Sequence, residues 1–457
     1  HPVIPSDAVP IDEQRFQDVI ANPSPHLVRV HDADGLPFLV EPRITLEDAY
    51  QKLFALPQNL REEILPITAL YGRILAEDLY APAPVPHFAR APLDGYAFIA
   101  ADIAAATPDT PVQLRVIGET SAGDAPARPL MPGEAVRIMT GGPFPPNADA
   151  MVRYEDTEFT AAWVRLFAAI PAGSNLVPAG DDIRRDQMIG HRGQKVSAPI
   201  CGLLASCGYT QAKAYAKPVV TILNTGNELV EPGLPLGPGK IHNSSFYTLT
   251  GYLTAAGAEV VNGGIVGDAI APIAAAIDQA LTDADMVITT GGVSVGDYDF
   301  IRAAIAAMGG EELFWKIRIR PGGTLVAASK QQKLILGLSG NPGSAALGLQ
   351  LLGLPFLRRL TGADALFPQQ IKAILSCDYP KPSPFGRLIR GRLLPTDGKI
   401  CFLPSATQGY GAVSSLLDSD MIAVIPIDSP PLTAGTIVDA YWLNRLTPTL
   451  GSETEAK

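Results

Sequence analysis

Short apolar runs alternate with stretches of helical pattern between residues 218 and 362. Three of these runs are VVTIL at 219–223, MVITT at 286–290 and KLILGL at 333–338, and each is followed by a helix-like segment. Continuous apolar strands that alternate with helices are typical of a parallel sheet covered by helices on both faces. We therefore predict a doubly wound parallel-sheet α/β domain over residues 218–362.

The rest of the chain divides into four further regions. Residues 89–177 and 363–457 contain short alternating runs separated by glycine and proline, which predicts an inserted β domain and a C-terminal β-barrel-like domain. Residues 42–88 and 178–217 flank the insert and return to helix-like patterning, so we predict one discontinuous, elongated helical/β domain there. The proline-rich residues 1–41 are predicted to be an N-terminal extension.

Composition restricts the function classes. The formal net charge of −11 and the isoelectric point near 5.1 disfavour a nucleic-acid or anionic-membrane binder. The four cysteines form no CxxC pair, and no run of 18 apolar residues occurs. We expect a cytoplasmic protein that has no membrane segment and no nucleic-acid partner.

Three loops at predicted strand ends share one character. They are NTGNEL at 224–229, TTGGVSVGD at 289–297 and LSGNPGS at 338–344. Each combines glycine with hydroxyl or amide side chains, which suit phosphate oxygens at the carboxyl edge of a parallel sheet. A single loop of this kind is an ordinary strand-to-helix turn, but three on one sheet favour an anion site. The candidate cofactor-binding residues, with the turn at 321–322, are Thr225, Gly226, Thr290, Gly291, Gly292, Ser294, Gly296, Pro321, Gly322, Ser339, Gly340, Asn341 and Pro342.

Charged residues accompany these loops. In KIRIR at 316–320, an extended strand places Lys316, Arg318 and Arg320 on one face, to bind an anion or to protect a sheet edge. Four acids at predicted strand ends or first helical turns either cap helices or, where several converge beside a phosphate, hold magnesium. These acids are Glu228, Asp268, Asp297 and Asp299.

Several common catalytic patterns are absent from the sequence. There is no GxxxxGK[ST], GxGxxG, HExxH or GxSxG motif. An ordinary P-loop ATPase, a dinucleotide dehydrogenase and an acyl-transfer hydrolase therefore lack their expected signatures.

Over about residues 44–450 the chain resembles the molybdopterin molybdenumtransferases, which include the C-terminal domain of gephyrin. The resemblance rests on LDGYA at 93–97, RIMTGGPFPPNADAMVRYE at 137–155, TGNEL at 225–229, TTGGVSVGDYDF at 289–300, FWKIRIRPGG at 314–323 and GNPGSA at 340–345. It implies a four-part subunit and a homodimer, in which the discontinuous domain serves as linker and dimerisation domain. It also implies an active cleft between the β insert of one subunit and the α/β and C-terminal domains of the other.

The activity that this resemblance implies is that of a transferase in molybdenum cofactor biosynthesis. Such an enzyme inserts molybdenum from molybdate into adenylylated molybdopterin, uses magnesium and releases AMP. Transient contacts with a molybdopterin adenylyltransferase and with apo-molybdoenzymes are also implied. The catalytic residues carried over from the family are Asp94 and Thr140 of the insert, Lys316 and Arg320 for phosphate or molybdate, and Glu228, Asp268 and Asp299 for the metal and nucleotide.

The chain departs from the family pattern inside its motifs. Asn227 and Asn243 stand where the family usually has aspartate, and Ser339 stands where it usually has proline. Arg320 stands where the family usually has lysine, so a planar guanidinium replaces an ammonium group. Gly323-Thr324 stands where the family usually has the Lys-Pro of a PGKP turn. These changes support an alternative, a paralogue that binds or delivers the cofactor with little or no turnover. A third reading, an adenylyltransferase acting on molybdopterin, is disfavoured by the two additional β domains.

Overall fold

The computed structural model describes residues 28–31, 37–40, 43–293, 299–380, 382, 384–396, 398–417 and 419–443. The chain forms two compact units. One comprises residues 1–61 and 215–457, and the other comprises residues 62–214. The elements that precede residue 62 are β1 (Val28–His31), β2 (Pro37–Val40) and α1 (Leu46–Phe54).

The unit of residues 62–214 contains a six-stranded sheet and two short ribbons. Its elements are β3 (Glu62–Pro66), α2 (Ile67–Leu70), β4 (Leu79–Tyr80), β5 (Gly95–Phe98), β6 (Val112–Thr120), β7 (Glu134–Ile138), β8 (Ala150–Arg153), β9 (Thr157–Phe159), β10 (Trp163–Leu166), β11 (Met188–Gly190), α3 (Ala198–Ser206) and β12 (Gln211–Tyr215). The sheet has the order β8-β5-β7-β6-β10-β9, and the ribbons pair β11 with β4 and β12 with β3. The sheet strands all lie within residues 89–177, where we predicted an inserted β domain.

The other unit contains the α/β sheet and a C-terminal barrel. Its α/β elements are β13 (Val219–Thr225), β14 (Leu229–Val230), β15 (Ile241–His242), α4 (Ser245–Ala255), β16 (Glu259–Val266), α5 (Ile270–Asp283), β17 (Met286–Thr290), α6 (Phe300–Ala307), β18 (Glu311–Trp315), β19 (Ile319–Arg320), β20 (Val326–Lys330), β21 (Lys333–Leu338), α7 (Pro342–Gly348) and α8 (Leu354–Leu360), with a π-helical segment at Leu349–Gly353. The barrel elements are β22 (Gln370–Leu375), β23 (Gly386–Thr396), β24 (Lys399–Pro404), β25 (Met421–Ile425) and β26 (Ile437–Trp442).

The α/β sheet has the order β16-β13-β17-β21-β20-β18, in which the first four strands are parallel and β20 is antiparallel to both of its neighbours. Its central strands β13, β17 and β21 are buried on both faces. Val220 and Ile222 pack in one apolar cluster with α1, α4 and α8, whereas Leu223 packs in a second cluster with α5 and α6. This alternation is what a strand with two covered faces requires.

The five barrel strands pair in a closed ring, β23-β24-β22-β26-β25, and β25 returns to β23. Closure removes exposed sheet edges. The predicted multidomain α/β class, with a doubly wound domain, β insert and C-terminal barrel, is confirmed.

One predicted element and one boundary differ from the structure. The amphipathic pattern at 45–67 predicts a single surface helix, yet α1 ends at Phe54 and β3 occupies Glu62–Pro66. Pro57 explains the early end, because proline disfavours helix in the residue before it and lacks an amide donor. Ala49 and Leu53 are fully buried in the α/β core. Residues 43–61 therefore belong with the α/β unit, and not with a discontinuous domain starting at residue 42.

Within the described ranges, none of the helices combines the length and the apolar composition needed to cross a lipid bilayer.

Candidate active site

A cleft of the α/β-and-barrel unit opens at the carboxyl edge of the parallel sheet. β16 and β17 lie on opposite sides of β13, so the order in which successive strands are added to the sheet reverses between β13 and β17. Ligands of open α/β sheets bind at such a switch point. The cleft has a volume of about 660 Å³. Its lining includes Thr225, Gly226, Glu228, Asp268, Gly291, Gly292, Lys316, Arg320, Pro321, Gly322, Ser339, Gly340, Asn341 and Pro342.

Glycines allow the three loops to approach one another closely. A Cβ atom on Gly291 would lie 2.3 Å from the carbonyl oxygen of Thr225, and one on Gly340 would lie 3.3 Å from the Cα of Gly291. The hydroxyl of Thr225 donates to the carbonyl of Thr290 at 3.1 Å. Only glycine fits the contact at residue 291, so the loops after β13, β17 and β21 form one continuous floor.

A buried amide network supports this floor. The Asn243 amide donates to Asn224 Oδ1 at 3.0 Å, and the Asn224 amide donates to Thr290 Oγ1 at 2.6 Å. All three residues are at most 2% exposed. Thr290 is one of the predicted cofactor-binding residues, but it does not line the cleft. Through its bond with Asn224 it supports the floor from beneath. Asn243, a departure from the family, has a structural role here.

Two of the predicted acids face the cleft. The Glu228 carboxylate folds back over Gly226, where a Cβ atom would lie 2.5 Å from Glu228 Oε2. Asp268 Oδ2 accepts from the backbone amide of Asn227 at 3.0 Å, and Asn227 Oδ1 accepts from the Asp268 amide at 3.3 Å. Asn227, another departure, therefore holds the Asp268 loop against the loop that carries Glu228.

The third acid lies elsewhere. Asp299 is the N-cap residue of α6, and its carboxylate is 3.8 Å from the guanidinium of Arg302. Burial raises the pKa of Asp299 to about 6, against the smaller lowering effects of Arg302 and Lys316. The described residues contain no group of three acid, histidine or cysteine side chains placed to hold a metal. The predicted set of Glu228, Asp268 and Asp299 therefore does not form one three-acid cluster in the structure, because Asp299 lies outside the cleft lining, at the N-cap position of α6 beside Arg302.

Glu228 and Asp268 nevertheless fit magnesium. This ion is usually held by one or two carboxylates together with substrate phosphate oxygens and water, and it does not need a cage of three protein ligands. Both carboxylates line the cleft. They would hold the ion, which would neutralise charge on phosphate oxygens.

Two of the three predicted cations also line the cleft, although the strand predicted at 316–320 is wrong. β18 ends at Trp315, Lys316 has a left-handed φ of 58°, and β19 contains only Ile319–Arg320. The segment turns back on itself, since the amide of Ile317 donates to Gly323 O at 2.9 Å. Arg318 is not part of the lining.

Aromatic rings hold both cleft cations. Lys316 Nζ lies 3.7 Å from the centre of the Trp315 ring, and Arg320 Cζ lies 4.1 Å from the centre of the Phe385 ring. Lys316 is only 4% exposed. Cation–π contacts of this kind attract the cation to the face of the ring and fix its position.

The missing lysine of the family turn has a steric explanation. A Cβ atom on Gly323 would lie 2.0 Å from Ile319 O and 2.7 Å from Ile317 O. These separations are far below van der Waals contact, so the turn in this chain excludes any side chain at residue 323.

The loop after β21 is closed by local hydrogen bonds. The Asn341 amide donates to Ser339 Oγ at 3.2 Å, and the Ser344 amide donates to Tyr410 O at 3.0 Å. Ser339, which replaces the family proline, thus stabilises the turn before α7. Sequence reasoning did not select several lining residues. Some come from distant segments without a motif, and others lie inside the quoted motifs but have apolar side chains, no side chain or a single hydroxyl. The lining residues that were not selected are Arg43, Ile241, Val293, Phe300, Ile319, Gly323, Thr324, Ser344 and Tyr410.

Asp94 and Thr140 lie in the other compact unit, where they contact each other. The Thr140 amide and hydroxyl both donate to Asp94 Oδ1 at 2.7 Å. These two hydrogen bonds lower the pKa of Asp94. The remaining candidates Ser294, Gly296 and Asp297 lie outside the described residues.

A switch-point cleft lined by two carboxylates, a lysine and two arginines is typical of an α/β protein that binds an anion. Comparison with protein families identifies the class more closely. Residues 44–208 match the MoeA N-terminal region (domain I and II) and residues 372–443 match the MoeA C-terminal region (domain IV). Between them, residues 221–359 match the probable molybdopterin binding domain.

Curated relatives and solved structures agree with this assignment. The molybdopterin molybdenumtransferase of Bacillus subtilis is 34% identical over 387 residues, covering 84% of this chain and 90% of the relative. That of Staphylococcus epidermidis (ATCC 35984) is 31% identical, covering 87% and 94%. A MoeA crystal structure from Pyrococcus horikoshii has a TM-score of 0.77 at 30% identity, covering 88% and 99%. The chain belongs to the molybdopterin molybdenumtransferase (MoeA) family. It is a transferase with a role in molybdenum cofactor biosynthesis.

Proposed function

We propose that the protein inserts molybdenum from molybdate into adenylylated molybdopterin and releases AMP. The observation that carries this proposal is the switch-point cleft. It places Glu228 and Asp268 in one lining with Lys316 and Arg320. Cleavage of a pyrophosphate bond without a covalent intermediate needs positioned charges of both kinds, which orient the phosphates and stabilise the charge that develops on them.

The cleft residues have separate roles in this proposed reaction. Lys316 and Arg320 bind phosphate or molybdate oxygens, and the guanidinium of Arg320 is suited to a bidentate hydrogen bond. The Gly291 and Gly340 backbones let the ligand approach the floor closely. Glu228 and Asp268 orient the pyrophosphate together with magnesium, which supplies charge neutralisation when it is bound. Asp94 and Thr140 remain predicted substrate-contacting residues, and Asp299 is kept as a predicted participant that orients the nucleotide.

The wider proposal follows the family resemblance. It comprises a cytoplasmic homodimer that depends on magnesium and makes transient contacts with a molybdopterin adenylyltransferase and with apo-molybdoenzymes. A second candidate function is a carrier that binds the cofactor without turnover. The observation that favours it is Gly323, whose turn excludes the family lysine.

One experiment separates the two candidates. Purified protein is mixed with adenylylated molybdopterin, molybdate and magnesium, and AMP release and reconstitution of an apo-molybdoenzyme are measured. We expect molybdate-dependent AMP release, and we expect Glu228→Gln to slow it by about 100-fold. Glu231→Gln is the matched control, because Glu231 lies three residues away and outside the cleft lining. Tight binding without AMP release would support the carrier.

A further inference from the structure

Arg43 enters the cleft from a segment to which sequence reasoning assigned no chemistry. It lies three residues before α1 and belongs to the cleft lining. Backbone contacts fix its position: Ile44 forms a parallel bridge with Ile317, and the Arg318 amide donates to Ile44 O at 3.0 Å. The main chain at Arg43 is therefore anchored to the turn that carries Lys316 and Arg320.

Phe385 brings Arg43 and Arg320 together. The guanidinium carbon of Arg43 lies 4.8 Å from the centre of the Phe385 ring, and that of Arg320 lies 4.1 Å from the same centre. Both arginines line the cleft. Two positive charges at one ring repel each other, so an anion that contacts both guanidinium groups gains from each of them.

Arg43 provides a positive charge in the cleft beside the turn at 321–324, which contains no lysine or arginine. A lysine at residue 323 is excluded, because its Cβ atom would lie 2.0 Å from Ile319 O. Arg43 supplies a cation to the same cleft from a different part of the chain.

We propose that Arg43 binds an oxyanion in the cleft beside Arg320, and that Phe385 is a positioning residue for both. The oxyanion is tetrahedral and comes from either a nucleotide phosphate or molybdate. Only the identity of these two anions rests on the proposed function.

The test measures the binding of AMP and of molybdate separately, by titration calorimetry on the full-length protein. We expect Arg43→Met to weaken binding of at least one of them by about tenfold or more, the usual effect of losing a charge-assisted contact. Arg43→Lys should recover part of this loss. The anion that responds identifies the source.

Arg318→Met is the matched control. It removes one positive charge from the turn to which Arg43 is anchored, but Arg318 is outside the cleft lining, where its guanidinium donates to Pro384 O at 3.3 Å and lies 3.7 Å from Asp428. We expect its affinities to stay within about twofold of wild type. Equal losses in Arg43→Met and Arg318→Met would show a general charge effect and overturn the proposal.

The role of Phe385 is tested by a double-mutant cycle. We expect Phe385→Leu to weaken anion binding. Phe385→Tyr keeps an aromatic face and should bind the anion with nearly wild-type affinity. In the Arg43→Met background, the effect of Phe385→Leu should shrink, because part of it acts through Arg43. Additive effects would show that Phe385 acts without Arg43 and would overturn its positioning role.

Binding and turnover are scored independently. Anion binding that depends on Arg43, in a protein that releases no AMP, supports this inference and contradicts the proposed transferase reaction. AMP release that is unchanged by Arg43→Met, with unchanged affinities, overturns the inference and leaves the transferase reaction intact. A wild-type protein that binds neither anion overturns both.

Discussion

Gly323 shows how one residue without a side chain determines the chemistry of a loop. Its neighbours are backbone oxygens, which cannot rotate away as the end of a flexible side chain can. The turn of this chain is thus shaped around glycine, and the family lysine cannot be restored by a single substitution. Its charge has to come from residues such as Lys316, Arg320 and Arg43.

We predict that Gly323→Ala destabilises the protein by about 3 kcal/mol or more, since the added Cβ atom forces the backbone of the turn to move. Urea unfolding measures this change. Gly251→Ala is the control: Gly251 lies inside α4 with no atom within 4 Å of an added Cβ, so alanine should stabilise it by about 0.5–1 kcal/mol. A Gly323→Ala protein as stable as wild type would contradict the steric argument.

At the scale of elements, the buried amides join β13, β17 and the segment before α4. Asn224 is the central member, because it accepts from Asn243 and donates to Thr290. The network is buried, so its members depend on one another for hydrogen bonds.

We predict that Asn224→Ala costs about 2–3 kcal/mol in unfolding free energy, because it leaves the buried Asn243 amide and the Thr290 hydroxyl without this partner. The floor of the cleft should loosen too, so molybdate affinity measured by calorimetry should fall. Asn262→Ala is the control, since Asn262 is exposed on β16 and its side chain bonds only locally to Gly264. Equal stability of the two variants would exclude a supporting role for the network.

Element boundaries illustrate the limits of pattern reading. The amphipathic pattern at 45–67 predicts one long helix, but the helix ends at Phe54. The alternating charges at 316–320 predict a strand, but the chain turns at Lys316. Both misreadings have one cause: periodicity reports local preference, whereas the packing of α1 on the α/β core and the bond from Ile317 to Gly323 are tertiary contacts.

At the scale of the molecule, the unit of residues 62–214 is inserted into the other unit. The two crossing points are adjacent, because the Ala216 amide donates to Arg61 O at 2.7 Å. Domain insertions are tolerated where the ends of the insert lie close together.

We predict that replacing residues 62–214 by a short glycine-serine linker leaves a folded unit that binds AMP or molybdate with affinity close to that of the whole protein. AMP release should be lost, because Asp94 and Thr140 are removed. Circular dichroism and calorimetry measure fold and binding, and residues 62–214 expressed alone serve as the companion sample. An unfolded remainder, or one without anion binding, would contradict this division.

The sequence by itself determined the doubly wound domain, the two β regions and most of the cleft lining. Buried strands and glycine-rich loops are local signals, and the carboxyl ends of neighbouring parallel strands necessarily meet at one edge. For that reason Thr225, Gly291 and Asn341, which the sequence indicates as candidate cofactor-binding residues, lie together in the cleft lining.

Tertiary structure alone decided where Arg43, Tyr410 and Asp299 lie. Arg43 and Tyr410 come from opposite ends of the chain and have no motif of their own, so only the packing of the N-terminal segment and the barrel against the α/β domain brings them to the cleft. Asp299 carries the right chemistry in the right motif, and Arg302 lies beside it one helical turn away, but the burial that raises the pKa of Asp299 depends on how α6 packs. Residue type and spacing set what a side chain can do, but its surroundings are fixed by contacts between segments far apart in the sequence.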